Sequence, residues 1–182
     1  MPSVRLRFVD TNDGLVSRVI RGAELGLAYS HVEAVTPNGL YLGALSDGGV
    51  QARPSSYDTT WSQQLFVDAP ATNAQASAFY DFLQSKVGLP YDMTAIYEMA
   101  DGALTGEAPN WPAASAYTCS ALITAALLTV GLIQGAPATV RLATPRDVLI
   151  ACAALTPIGP AEVNPHPALA SAAVTTQAPR SS

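Results

Sequence analysis

Basic charge is scarce in this 182-residue chain: nine basic residues, of which only Lys86 is a lysine, stand against fourteen acids and leave a net charge of −5. Nothing in that balance can neutralise a run of phosphates, so nucleic acid is excluded as a partner. Cysteine is nearly absent as well. Cys119 and Cys152 cannot form the disulfide framework that staples small secreted domains, and no Cys-x-x-Cys pair is present for zinc. Any role for sulfur therefore rests on a single thiol. Two histidines, His31 and His166, with no clustered carboxylates leave little to coordinate a metal, and no cofactor is implied. Long apolar runs are missing too. The longest stretch, Ala121 to Ile133, is interrupted by Thr124, Thr129 and Gly131 and falls short of the roughly 20 residues that span a bilayer. It reads as a buried helix, with no membrane span. Met1-Pro2-Ser3-Val4-Arg5-Leu6-Arg7 lacks the apolar core of a secretory signal, so cytoplasmic synthesis without that signal is the expectation. There is no internal repeat and no Gly-rich phosphate loop.

What remains is an apolar, Ala-rich chain with 49% hydrophobic and 13% charged residues, the make-up of one globular domain. That domain is expected over residues 1–156. Residues 157–182, rich in Pro, Ala, Ser and Thr, are expected as a flexible tail. Residues 4–9 alternate apolar and basic side chains with the period of a strand that has one wet face, and 15–25 suggest an irregular amphipathic helix. Tyr29 to Ser46 reads as a hairpin around Pro37-Asn38-Gly39, with His31 and Glu33 sharing a face. Further strands are expected at 50–54 and 61–68. Thr72 and Gln75 have capping-box spacing ahead of a helix ending near Gly88. A shorter helix follows at 93–100, then a loop over 101–116. A helix apolar on most faces spans Cys119 to Leu132, and Thr144-Pro145-Arg146-Asp147 opens a last helix holding Cys152.

Two residues stand out chemically. His31 lies on an alternating strand, and Cys119 opens the apolar helix about ninety residues later. A thiol is a nucleophile as its thiolate, and the thiolate is favoured at a helix N-terminus beside an imidazolium. The competing readings are ordinary ones: a free cysteine is often a small buried hydrophobe, and a hairpin histidine is often satisfied by backbone. Cys152, with no histidine nearby in sequence, reads as core. His166, between prolines, reads as an exposed bystander.

Four segments, Gly14-Leu15-Val16-Ser17-Arg18-Val19-Ile20-Arg21, Tyr29-Ser30-His31-Val32-Glu33, Gly88-Leu89-Pro90-Tyr91-Asp92 and Tyr117-Thr118-Cys119-Ser120, carry a resemblance by their order and spacing. Together they resemble the circularly permuted papain-like superfamily, the NlpC-type amidases and peptidases with His ahead of Cys, including YiiX-like and phage-encoded members. The resemblance covers roughly residues 4–150. It implies an α+β fold in which a small antiparallel sheet or half-barrel packs against helices, the central one starting at the cysteine. It implies Cys119 as nucleophile, His31 as base, and a peptide, isopeptide or cell-wall peptide as the amide substrate. The third member departs from the pattern. The residue that orients the imidazole is expected near Gly43 to Ser46, where Gly43, Ala44 and Leu45 cannot serve. With an Asn38-Gly39 turn Ser46 lies opposite His31, Asp47 is one residue further, and Glu33 lies about 7 Å along the same face. Glu33 has the reach and the charge, with Ser46 and Asp47 as alternatives. The resemblance also places Tyr91 and Asp92 by the cleft, where Tyr117 and Trp111 could join them, although packing explains each tyrosine and tryptophan as well. Ala121 stands where related sequences often carry Glu. Two other functions remain open: acyl transfer of the permuted lecithin retinol acyltransferase type, and a non-catalytic, phage-related binding or structural module.

Overall fold

The structure, a computed structural model, describes residues 2–11, 14–23, 29–105, 115–134 and 140–164. Six strands, β1 (Ser3–Thr11), β2 (His31–Val35), β3 (Leu40–Leu45), β4 (Gly49–Pro54), β5 (Trp61–Pro70) and β6 (Glu162–Val163), form one sheet in the order β4-β3-β2-β1-β5-β6. Every neighbouring pair is antiparallel. The fold is thus mixed α+β, with five helices beside the sheet: α1 (Gly14–Ala23), α2 (Asn73–Ser85), α3 (Met93–Thr105), α4 (Cys119–Thr129) and α5 (Pro145–Ala153).

The period of two in the strands sorts side chains onto two unlike faces. Val4, Leu6 and Phe8 of β1, Val32 and Ala34 of β2, Leu42 and Ala44 of β3, and Leu65, Val67 and Ala69 of β5 share one buried cluster with Phe79 and Leu83 of α2 and with Leu122, Ile123, Ala126 and Leu127 of α4. Helix α4 is apolar on nearly every side because it is enclosed. Its Leu122, Ile123 and Leu127 are wholly buried, each contributing about 1.5–3 kcal/mol. The opposite face carries Arg7, Glu33, Tyr41, Arg53 and Gln64, and the β4–β5 connection folds over it. A smaller apolar cluster joins Ile20 of α1 to Ala95, Ile96 and Met99 of α3.

Local chemistry sets the boundaries. Thr72 and Gln75 form the expected capping box on α2, and Thr144 with Asp147 forms another on α5, which has proline in its first turn. Helix α4 ends at Thr129 rather than Leu132, because Gly131 turns left-handed (φ 66°). There Gly131 N–H donates to Leu128 O and Leu132 N–H to Leu127 O, a Schellman stop. Helix α3 continues to Thr105, five residues into the segment expected as loop. Of the segment expected as helix over 15–25, residues 24 and 25 lie outside the described residues, as do Trp111 and His166.

Beyond Thr156 the chain returns to the edge of the sheet as β6. Gln63 and Gln64 of β5 pair with Val163 and Glu162, and Asn164 donates its backbone N–H to Ser62 O (2.9 Å) and its side-chain amide to Trp61 O (2.8 Å). Backbone hydrogen bonding at the open edge of β5 captures a segment whose composition suggested a tail. No helix among the described residues is long and apolar enough to cross a membrane.

Gly49 begins β4 with φ 72°, and a Cβ there would lie 2.2 Å from Leu89 O, in a stretch where Val50 N–H donates to that same carbonyl. Gly131 has a similar φ but open space around it. Gly131→Ala should therefore cost about 1–2 kcal/mol, the left-handed penalty alone, and Gly49→Ala clearly more. Urea unfolding of the two variants tests the difference.

Candidate active site

The site forms at one end of the sheet, where β1 finishes and β2 begins. Val9 pairs with His31 and Arg7 with Glu33, so the register of two strands sets two oppositely charged residues directly side by side. Arg7 Nη1 donates to Glu33 Oε1 (2.7 Å), its Nη2 to Asp58 Oδ2 (3.2 Å) and its Nε to Gln64 Oε1 (2.8 Å). The guanidinium lies 4.8 Å from the Tyr41 ring centroid. Tyr57 Oη donates to Glu33 Oε2 (3.0 Å), and the same carboxylate oxygen stands 3.4 Å from His31 Nε2. Arg7 and Glu33 are each 1% exposed. Basic residues alternating on β1 suggested a wet face, but the β4–β5 connection buries Arg7 by bringing Tyr57 and Asp58 over it.

The other side of the imidazole meets α4. Thr118 caps the helix, its hydroxyl accepting from Ala121 N–H, which fixes Cys119 in the first turn. The Cys119 sulfur shares a hydrogen bond with the His31 ring and accepts from the backbone N–H groups of Val32 and Ser120.

Protonation follows from these contacts. Burial works against a charge on His31, but the negative Cys119 and Glu33 on its two sides outweigh burial and hold the ring protonated up to about 10. Burial likewise opposes the Cys119 thiolate, and the imidazolium with the two backbone donors brings the thiol below its ordinary value. Burial would raise the Glu33 carboxyl; His31 and then Arg7 draw it down. Cys152 shows the contrast: with burial alone acting on it, its thiol is pushed up to about 12, and it packs in the core.

Beside His31 lies a cavity of about 360 Å³ whose wall mixes apolar side chains such as Val16, Ile20 and Leu45 with hydroxyl and charged ones such as Ser30, Asp47 and Arg53. Thr11 Oγ1 links Ser17 Oγ (3.0 Å) and Ser30 Oγ (3.1 Å) there. Tyr91 also lines it, and its hydroxyl bonds the Cys119 sulfur. Burial, followed by that negative sulfur, holds the Tyr91 phenol far above its ordinary range. Cys119 is 1% exposed and is not among the residues that line the cavity.

Of the residues singled out from sequence, the structure brings Cys119, His31, Glu33 and Tyr91 together. The hairpin register differs from expectation by one residue: Val35 pairs with Tyr41 and Ala34 with Leu42. Gly43 therefore faces Glu33, where a Cβ would stand 2.9 Å from Glu33 Cβ, and Ser46 is not opposite His31. Ser46 and Asp47 line the cavity, but Glu33 is the carboxylate on the imidazole. Asp92 is not at the cleft. It is 1% exposed, accepts from Ala95 N–H at the start of α3 (2.9 Å), and takes Arg141 Nε at 2.7 Å. Tyr117 supports the site through its backbone, pairing with the Pro90–Asp92 stretch. Its side chain borders a separate cavity with Ala121 and Arg141. Arg7, Tyr57 and Asp58 escaped sequence reasoning; the signal for Arg7 was its place on the strand face that Glu33 also occupies.

Together the fold and the site define a class: a mixed α+β protein with one antiparallel six-stranded sheet and a cysteine, histidine and glutamate converging at the start of a buried helix. No protein-family model matches the chain, and no curated protein matches it. Among solved structures it is similar to the crystal structure of the metalloprotein YiiX from Escherichia coli O157:H7, of DUF1105, with a TM-score of 0.53 and 14% identity over 90% of this chain and 98% of that one. The likeness is one of fold.

Glu33→Gln removes the carboxylate charge, and Gly43→Ala crowds Glu33 away from the ring. Either change should lower the His31 midpoint from about 10 toward the ordinary 6.5. The ring C–H resonances followed by NMR across pH, with His166→Ala for assignment, measure it. An unmoved midpoint would mean that Glu33 does not govern the imidazole.

Proposed function

We propose that the chain is a cysteine hydrolase of the permuted papain-like, NlpC-type fold that cleaves an amide bond through a thioester. The observation that carries this reading is the imidazole held between a sulfur at a helix N-terminus and a buried carboxylate. In that mechanism the Cys119 thiolate attacks the amide carbonyl carbon, and the Cys119 backbone N–H, free at the helix start, faces the developing oxyanion. His31 gives its proton to the departing amine as the C–N bond breaks, leaving a thioester on Cys119. Water then attacks the thioester while His31 takes its proton, the carboxylic acid leaves, and the thiolate–imidazolium pair returns. Glu33 orients the ring and favours its charged form, filling the place that Gly43 leaves empty.

Three further observations bear on the alternatives. The cavity beside His31 offers hydroxyl and charged groups as well as an apolar wall, so a hydrogen-bonding peptide has partners there that the aliphatic chain of an acyl transfer would not use. Support for a non-catalytic module rested on the missing partner at Gly43, and Glu33 answers that vacancy. YiiX is named a metalloprotein, but the donor set here does not fit a metal. The described residues hold no group of three His, Cys, Asp or Glu suited to one, and the buried carboxylates Asp92 and Glu98 are bridged by Arg141.

Alkylation by iodoacetamide tests the reading. Cys119 should react well below pH 8, and His31→Ala should move its reactivity up toward an unperturbed thiol at about 8.5. Cys119→Ser accounts for any signal from Cys152. A wild-type thiol that titrates near 8.5, or reacts only on unfolding, would sink the mechanism and favour the binding module.

A further inference from the structure

We propose that the cavity beside His31 is a subsite for a carboxylate of the substrate, held by Arg53. This rests on the hydrolase reading and narrows its substrate to peptides with a free carboxylate close to the scissile amide. Two arginines approach this end of the sheet, and they are differently occupied. Arg7 is buried and engaged by Glu33 and Asp58. Arg53, on β4, lines the cavity together with His31 and has no carboxylate partner among the described residues.

Its head is nonetheless fixed in place. The Arg53 guanidinium lies 5.1 Å from the centroid of the Tyr57 ring, and Nη2 donates to Asp47 O. These contacts engage one face and one nitrogen, leaving Nε and Nη1 as donors with no acceptor among the described residues. That is the fork that binds a carboxylate in two parallel hydrogen bonds, and holding it in advance reduces the entropy lost on binding. Tyr57 ties the subsite to the reacting groups, since its ring carries Arg53 while its hydroxyl holds Glu33. The other charges on the wall set a limit. Asp58 shares the Arg7 cation with Glu33, and Asp47, also on the wall, is a second acid beside Arg53. The subsite therefore takes one carboxylate and repels a polyanion.

Such a carboxylate can come from a C-terminal residue or from an acidic side chain. Three chloroacetyl probes of nearly equal shape separate the sources: N-chloroacetyl-asparagine, with only the α-carboxylate free; N-chloroacetyl-isoasparagine, with only the side-chain carboxylate free; and the uncharged diamide. Cys119 alkylation by each is followed by mass spectrometry in wild type, Arg53→Gln and Arg53→Lys. One charged probe should react about tenfold faster than the diamide in wild type. That ratio, which cancels any change in the thiol itself, should fall to about one in Arg53→Gln and lie between in Arg53→Lys. Equal rates for all three probes with a thiol that iodoacetamide shows to be activated, or a preference that survives Arg53→Gln, would overturn the subsite and leave the hydrolase reading standing. If the thiol proves inactive, the hydrolase reading falls, and binding of unreactive N-acetyl analogues to Cys119→Ser decides the subsite alone. A saturable shift of the Arg53 Nε–H resonance with a charged analogue and none with the diamide supports it, and no shift with either refutes it.

Discussion

A carboxylate taken out of water is the constraint around which this end of the molecule is built. Glu33 alone would be far too costly to bury in a protein interior. Its partners arrive from three parts of the chain: Arg7 from the neighbouring strand, Tyr57 from the β4–β5 connection and His31 from two residues back on its own strand. Each of these needs support in turn. Arg7 requires Asp58 and Gln64 to satisfy the rest of its fork, and its cation stays in place because Glu33 and Asp58 outweigh the burial that opposes it. The imidazole requires Cys119. Charges of alternating sign thus run from Asp58 through Arg7, Glu33 and His31 to the sulfur, and removing any one leaves its neighbours unbalanced in a low dielectric.

A second set of buried charges steadies the opposite flank. Arg141, in the short 3-10 turn Val140–Leu142, reaches Asp92 and Glu98, fastening the start of α3 to the chain that follows α4. Asp92 lies next to Tyr91, and the Tyr91–Asp92 stretch is paired with Tyr117 just before the cysteine. Ser120 Oγ donates to Ala143 O, fixing the first turn of α4 from the other side. The sulfur is therefore held by backbone pairing, a cap and an ion-pair cluster rather than by apolar contacts alone.

Much of this was legible in the sequence because local signals and the global fold agree. The capping box at Thr72, the Thr144-Pro145 start and the alternation in β1 and β2 each name their element directly. The pairing of Cys119 with His31 was legible from residue type and position. Other features depend on distant chain and leave no local trace. The hairpin register turned on one residue in a turn placed around Asn38, and it decided whether Ala44 or Gly43 faced Glu33. Arg7 looked solvated because nothing in residues 4–9 reveals that Tyr57 and Asp58 will cover them. Asp92 sat in a motif that suggested a cleft, yet its partner, Arg141, is 49 residues away. Glu162 and Val163 were lost in a biased composition, since a strand of two residues is specified by the edge it meets and not by its own side chains.

The unequal surroundings of the two sulfurs have a practical meaning. Cys152 is sealed in the core with no cation near enough to draw off its proton, so it stays chemically silent for as long as the chain is folded. On the proposed reading a folded molecule presents Cys119 alone to an alkylating agent, and a second label on any molecule records that it has opened. The fraction of doubly labelled chains therefore reports the unfolded molecules in a preparation, with no reporter beyond the label itself and no residue changed.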